Sequence, residues 1–148
     1  MDDKSFIHIR THRFPLLPNE PAHWVGRGSQ GQALALHVQR GLQAKGYTVP
    51  RVFCQDWGWW VDIHNTPFLF GVRIHSGPSV REGWTDYTLA NGAQQASFWS
   101  WRQLGWVPVR PWAQSLHADL LAMLCVDPEV QLINAACSQA LPWENPKP

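Results

Sequence analysis

Four polar residues fall at alternating positions in two adjacent stretches of this chain. They are Asp62 and His64 in "WWVDIH", and Arg73 and His75 in "GVRIH". A carboxylate beside an imidazole can orient and polarise it, and general acid–base chemistry requires such a pair within hydrogen-bond reach. An arginine next to the pair would hold an anionic group by its planar fork of donors. Trp60 precedes Asp62 by two residues, so an indole would flank the same site as a stacking or packing surface. The competing reading is a solvated sheet face, on which opposite charges across strands contribute about 0.2 to 1 kcal/mol each.

These residues share a face only if both stretches are strands that pair as a hairpin. "GWWVDIHNTPFLFGVRIH" reads that way, with its turn at Asn65-Thr66, although Pro67 leaves the turn type open. A two-residue loop sets His64 against Pro67, Asp62 against Leu69 and Trp60 against Gly71. Trp59, Val61, Ile63, Phe68, Phe70, Val72 and Ile74 then form one wholly apolar face. Trp60, Asp62, His64, Leu69, Gly71, Arg73 and His75 form the other. A one-residue slip would mix the two sets, so the sequence specifies the facing strongly.

Elements on either side supply the rest of the fold. "SFIHIRTHRF" alternates Ile7 and Ile9 with His8, Arg10 and His12, as a half-buried strand does. Leu34, Val38 and Leu42 form a helical stripe that Gly46 closes. "YTVPRVFC" reads as an edge or irregular strand because Pro50 cannot donate to a ladder. The polar stretch 76–95 reads as a long connection with room for a short strand. "ASFWSWRQLGW" reads as a strand with Trp99 and Trp101 on one side. Pro111 suits the first turn of a second helix with the stripe Trp112, Leu116, Leu120 and Leu124, which Asp127-Pro128 ends. "EVQLINAACSQALPW" returns as a last strand. This order predicts an α+β fold: a mainly antiparallel sheet of about five or six strands, two helices on one face, and the other face partly open. A single domain over 1–148 is expected, with flexible segments near 15–30, 76–95 and 143–148.

Other motifs weigh less. Asp56-Trp57-Gly58 reads first as a turn or bulge that re-aims the chain, and second as a place for an acid or ligand. His8 and His12 lie about 13 Å apart along a strand at 3.3 Å per residue, too far to share one ion, and neither HExxH nor CxxC occurs. No metal and no cofactor are expected. "VGRGSQGQ" lacks the GxxxxGK[ST] spacing of a phosphate loop, though Arg27 and a helix N-terminus could hold an anion. There is no Gly-x-Ser-x-Gly, and Cys54 and Cys125 fall on apolar segments suited to a core.

Composition narrows the function classes. The net charge is +1 and there is no basic run, so nucleic acid is not an expected partner. No apolar stretch approaches the roughly 18 to 20 residues of a membrane span, and no membrane partner is expected. The N-terminus opens with acids rather than an apolar signal region, and three widely spaced cysteines fit reduced thiols, so a cytoplasmic protein is expected. The ten tryptophans are an excess that one small core rarely holds, so some should lie at the surface.

"QDWGWWVDI", following "AKGYTV" and preceding an aromatic strand and a leucine-rich helix, resembles a Glu-Asp-Trp-Gly-Trp strand motif of small bacterial α+β proteins. Gln55 stands where that motif has an acid. No activity attaches to the motif, so no residue role follows from it. Some α+β proteins of this size are toxin-neutralising immunity proteins, and that comparison is by analogy alone. The leading expectation is a binding protein that recognises a protein partner through an aromatic and charged sheet face. Its candidate residues are Trp60, Asp62, His64, Arg73 and His75, with Trp84 from the long connection, because Trp and Arg dominate binding hot spots. The alternatives are a small hydrolase or transferase using Asp62, His64 and Arg73, and a small-molecule or sugar binder with Trp60 as the stacking platform. A homodimer contact would use the same kind of surface.

Overall fold

A computed structural model describes residues 6–14, 31–55, 58–64, 66, 68–78, 84–92 and 97–136. Ten elements follow in order: β1 (Phe6–Thr11), α1 (Gln32–Ala44), β2 (Thr48–Gln55), β3 (Gly58–His64), β4 (Phe70–Pro78), β5 (Thr85–Asn91), β6 (Ser97–Ser100), β7 (Gly105–Pro108), α2 (Arg110–Cys125) and β8 (Val130–Ala136). Six strands form one sheet in the order β2-β3-β4-β5-β1-β8, and β6 and β7 form a separate two-stranded sheet. Every pairing in the large sheet is antiparallel. The fold is α+β, as the sequence predicts.

Alternation decides which side of the sheet is covered. Ile7 and Ile9 of β1, Val61 and Ile63 of β3, Val72 and Ile74 of β4, and Tyr87 and Leu89 of β5 are all buried. They join Leu34, Val38 and Leu42 of α1 and Leu116, Leu120 and Leu124 of α2 in one core cluster. Burying each such aliphatic side chain stabilises the fold by about 1.5 to 3 kcal/mol. α1 packs against β2 and β3, and α2 against β1, β5 and β8. Both helices therefore cover the same face. Gly46 takes a φ of 98° just past α1, a conformation that favours glycine over other residues. Pro111 sits in the first turn of α2. Pro50 lies in β2, an edge strand whose register breaks between Thr48 and Arg51.

Four sequence expectations change. The β3–β4 hairpin pairs Ile63 with Phe70, Asp62 with Gly71 and Trp60 with Arg73, so its connection is longer than two residues. The register moves by two positions. Side chains repeat every two residues along a strand, so both faces keep their membership. The long connection expected over 76–95 holds the strand it had room for and more: β4 runs to Pro78, and Thr85–Asn91 forms β5 between β4 and β1, with 79–83 and 93–95 outside the described residues. Trp101 is not on a strand beside Trp99 but in the turn between β6 and β7. Cys125 is exposed rather than in the core, and Cys54 is only partly covered. The expected flexible segments 15–30 and 143–148, the loop "VGRGSQ" with Arg27, and Asp56 and Trp57 lie outside the described residues.

Candidate functional site

The alternation of β3 puts Trp60, Asp62 and His64 on the face without helices. Neighbouring registers add Arg51 of β2, opposite Asp62, and Gly71 of β4 on its other side. Asp62 is 5% exposed and accepts three hydrogen bonds. The Trp60 indole Nε1 donates to Oδ1 at 3.0 Å, Arg51 Nε donates to Oδ2 at 3.2 Å, and His64 Nε2 lies 2.9 Å from Oδ2. An ionised carboxylate only accepts, so His64 Nε2 carries the proton of the last contact. Burial pushes the Asp62 carboxyl up. The hydrogen bonds from Trp60, His64 and Arg51, with the charge of His64, outweigh that and leave it below its ordinary value.

Trp60 is 6% exposed, so it is not an open stacking platform. Its ring lies over Gly71 and Gly92, and a Cβ at either position would collide with it. Gly92 N–H also donates to the Gly71 carbonyl at 2.8 Å, which ties the two glycines together. The indole thus closes over a pair of side-chain-free positions and delivers its N–H to Asp62. Asp62 and Trp60 form a structural lock, and the groups that reach solvent around it are Arg51 and His64, with side chains 66% and 53% exposed.

The same face continues across the sheet. Arg73 of β4 is exposed and pairs in register with Trp60 on one side and Ala90 on the other. His75 pairs with Thr88. Asp86 of β5 accepts from Arg10 Nε at 2.8 Å and Nη2 at 3.1 Å, with His8 Nε2 at 2.9 Å from Oδ2. Among the described residues, five strands therefore contribute Arg51, Arg73 and Arg10 against Asp62 and Asp86, three guanidiniums to two carboxylates. His64, His75 and His8 add positive charge on protonation. Trp84 is brought elsewhere: it sits ahead of β5 with its ring 4.6 Å from that of His12. Of the sequence candidates, Trp60, Asp62 and His64 form one cluster, Arg73 and His75 lie beside it, and Trp84 belongs to the far end of β5. Among the described residues, no three His, Cys, Asp or Glu side chains gather as a metal centre would require.

On the helix side, near the mouth of the β3–β4 hairpin, a cavity of about 550 Å³ opens between the end of α1 and the start of α2. Lys45, Tyr47, His64, Phe70, Trp112 and Asp119 line it. Tyr47 donates its hydroxyl to Asp119 Oδ2 at 2.6 Å. Burial, then that hydrogen bond and the Asp119 charge, push the Tyr47 phenol well above its ordinary value. His64 thus touches both the Asp62 lock and the cavity rim.

The exposed tryptophans lie elsewhere again, on the β6–β7 hairpin. Trp99 pairs with Trp106 across the strands, with ring centroids 5.7 Å apart, and Trp101 stacks edge-on to Trp99 at 5.5 Å. Phe98 points the other way and stacks on Phe68 at 5.3 Å, anchoring the hairpin to the core.

Sequence reasoning missed Arg51, the Asp86 cluster, the cavity and this hairpin. Alternation signals Arg51 and Asp86 only once β2 is paired with β3, and β5 with β1. The cavity has no sequence signal, because its walls come from five separate segments. No family model matches the chain, and no curated protein or solved structure does either.

Proposed function

We propose that this chain is a recognition protein whose helix-free sheet face takes an acidic protein partner. The carrying observation is the charge balance of that face. Arg73 is exposed on it, and Arg51 and His64 stay more than half exposed while they hold the buried Asp62, so the face presents cations to solvent and keeps its carboxylate beneath them. Arginine is favoured at such surfaces because its donors suit carboxylates in pairs and its plane packs well. The lock under Trp60 keeps the face rigid, which lowers the ordering cost of binding. A cytoplasmic setting belongs to the same reading and rests on the odd number and wide spacing of the cysteines. Neutralising an acidic toxin is one form that such recognition would take. The test is affinity capture from native lysate with wild type beside Arg51→Glu/Arg73→Glu. A partner held by wild type, lost by the folded variant and released by salt supports the proposal. A partner that both proteins hold equally refutes it.

A second reading has its own observation, the cavity of about 550 Å³ with His64 at its rim. That volume suits a small organic molecule. Tyr47 and Asp119 would fix its polar end, and Phe70 and Trp112 its apolar body. A change in tryptophan emission on adding a small molecule, abolished by Trp112→Phe, supports it. Unchanged emission across a broad compound library counts against it.

A further inference from the structure

The β6–β7 hairpin carries apolar side chains that the core does not use. Trp101 is 79% exposed, Leu104 71% and Trp106 69%, and all three lie in or next to the turn. Leu104 holds a φ of 54°, an uncommon conformation for a non-glycine residue, and so projects from the last position of that turn. Phe98 and Val107, on the opposite face of the hairpin, pack into the core cluster. The tip is therefore a protrusion held at its base, not a loose loop.

Charge says what the tip faces. No acidic residue occurs between Asp86 and Asp119, whereas Arg102 sits exposed in the turn. A second copy packed tip to tip would bring the two Arg102 side chains together with no carboxylate in either tip to pair them. A protein partner would need a preformed pocket for several large indoles. A lipid headgroup layer needs neither. Tryptophan favours that layer because its ring is apolar and its N–H still finds an acceptor. An arginine among the indoles reaches phosphate while its stem stays in the apolar zone.

We propose that the Trp101–Trp106 tip inserts into the headgroup region of an anionic lipid surface. Such contact needs no span, and among the described residues no helix is long and apolar enough to cross a membrane. Binding would be shallow and reversible, since it rests on a few side chains and local charge. It is independent of the sheet face proposed for a protein partner.

The experiment is sedimentation of the full chain with vesicles of phosphatidylcholine alone and of phosphatidylcholine with phosphatidylglycerol, read together with tryptophan emission. Wild type is compared with Trp101→Ser/Leu104→Ser and with Arg102→Gln. These tip substitutions lie outside the core, and near-UV circular dichroism checks the fold. Wild type is expected to bind the anionic vesicles with a blue shift. Roughly tenfold or greater weakening is expected for the double variant, and a smaller, salt-sensitive loss for Arg102→Gln. No sedimentation, equal binding by the double variant, or equal binding to neutral vesicles overturns the proposal. Vesicle-independent dimerisation that the same substitutions abolish also overturns it, in favour of a second copy.

Discussion

Replacing Asp62 by Asn keeps the shape of the lock and removes its charge. The amide oxygen can still accept from Trp60 Nε1, now as a neutral acceptor. The amide nitrogen then meets two donors, Arg51 Nε and His64 Nε2, in place of the Oδ2 both now share. A hydrogen bond to a charged group contributes about 1.5 to 3 kcal/mol when buried. The Arg51 and His64 side chains are more than half exposed, so each of those two is discounted to about 1 kcal/mol by solvent screening. Weakening the buried Trp60 bond adds about 0.5 kcal/mol. The expected loss at neutral pH is about 2 to 3 kcal/mol, or about 5 to 10 °C in Tm for a chain of this size. Its pH dependence follows from the depressed carboxyl. Asp62 contributes fully above its unfolded-state value near about 4, and that contribution fades as pH falls through the lower folded-state value. Urea melts of wild type and Asp62→Asn should differ by the full amount at pH 5 to 7 and converge towards about pH 3. A neutral-pH difference below about 0.5 kcal/mol would refute the account of the lock. So would a difference that does not narrow on acidification.

Three further perturbations test neighbouring steps. Gly71→Ala and Gly92→Ala each force a Cβ into the Trp60 ring and should destabilise by about 1 to 3 kcal/mol in urea melts; Gly77→Ala, which meets open space within 4 Å, should cost well under 1 kcal/mol by the same method. Leu116→Ala empties a fully buried position of α2 and should cost about 2 to 5 kcal/mol by thermal or urea unfolding. Tyr47 is held protonated by burial and Asp119, so its hydrogen bond contributes below its unfolded-state value near about 10 and is lost above it; spectrophotometric titration of native protein against Tyr47→Phe should show its tyrosinate signal only at pH values well above about 10.

Much of the fold was legible because its signals are periodic. Ile7 and Ile9, Val61 and Ile63, and Val72 and Ile74 alternate cleanly, and a two-residue error in the β3–β4 register leaves every side chain on its correct face. The helices were legible for the same reason, since Leu34, Val38 and Leu42 and Leu116, Leu120 and Leu124 each recur every fourth residue. β5 was hidden because "TDYTLAN" offers only Tyr87 and Leu89 to the core and its other positions are polar or small. Its partners β4 and β1 supply the burial that its own composition does not announce. Alternation puts Trp60 on the helix-free face and carries no signal for its burial. What covers that ring is the absence of side chains at Gly71 and Gly92, and Gly92 lies on the far side of a strand that pattern alone left unassigned.

The burial of Trp60 changes which variants can speak about function. Trp60→Ala would leave a void over two glycines and strip Asp62 of a donor, so a lost interaction could follow from a loosened sheet instead of a lost contact. Arg51 and Arg73 are exposed on the same face and can be reversed in charge without opening the core. Trp101 and Leu104 can be made polar with equally little cost to it. The described tryptophans thus divide by physical role: Trp59 fills the core, Trp60 closes the lock, Trp84 packs on His12, Trp112 lines the cavity, and Trp99, Trp101 and Trp106 form the exposed cluster. The last group leaves the most apolar area uncovered among the described tryptophans, so contact outside the chain is its most economical explanation. The charged sheet face and the tryptophan tip can therefore be tested separately, with Arg73→Glu alone beside the double charge reversal, because Arg51→Glu also removes a donor from Asp62.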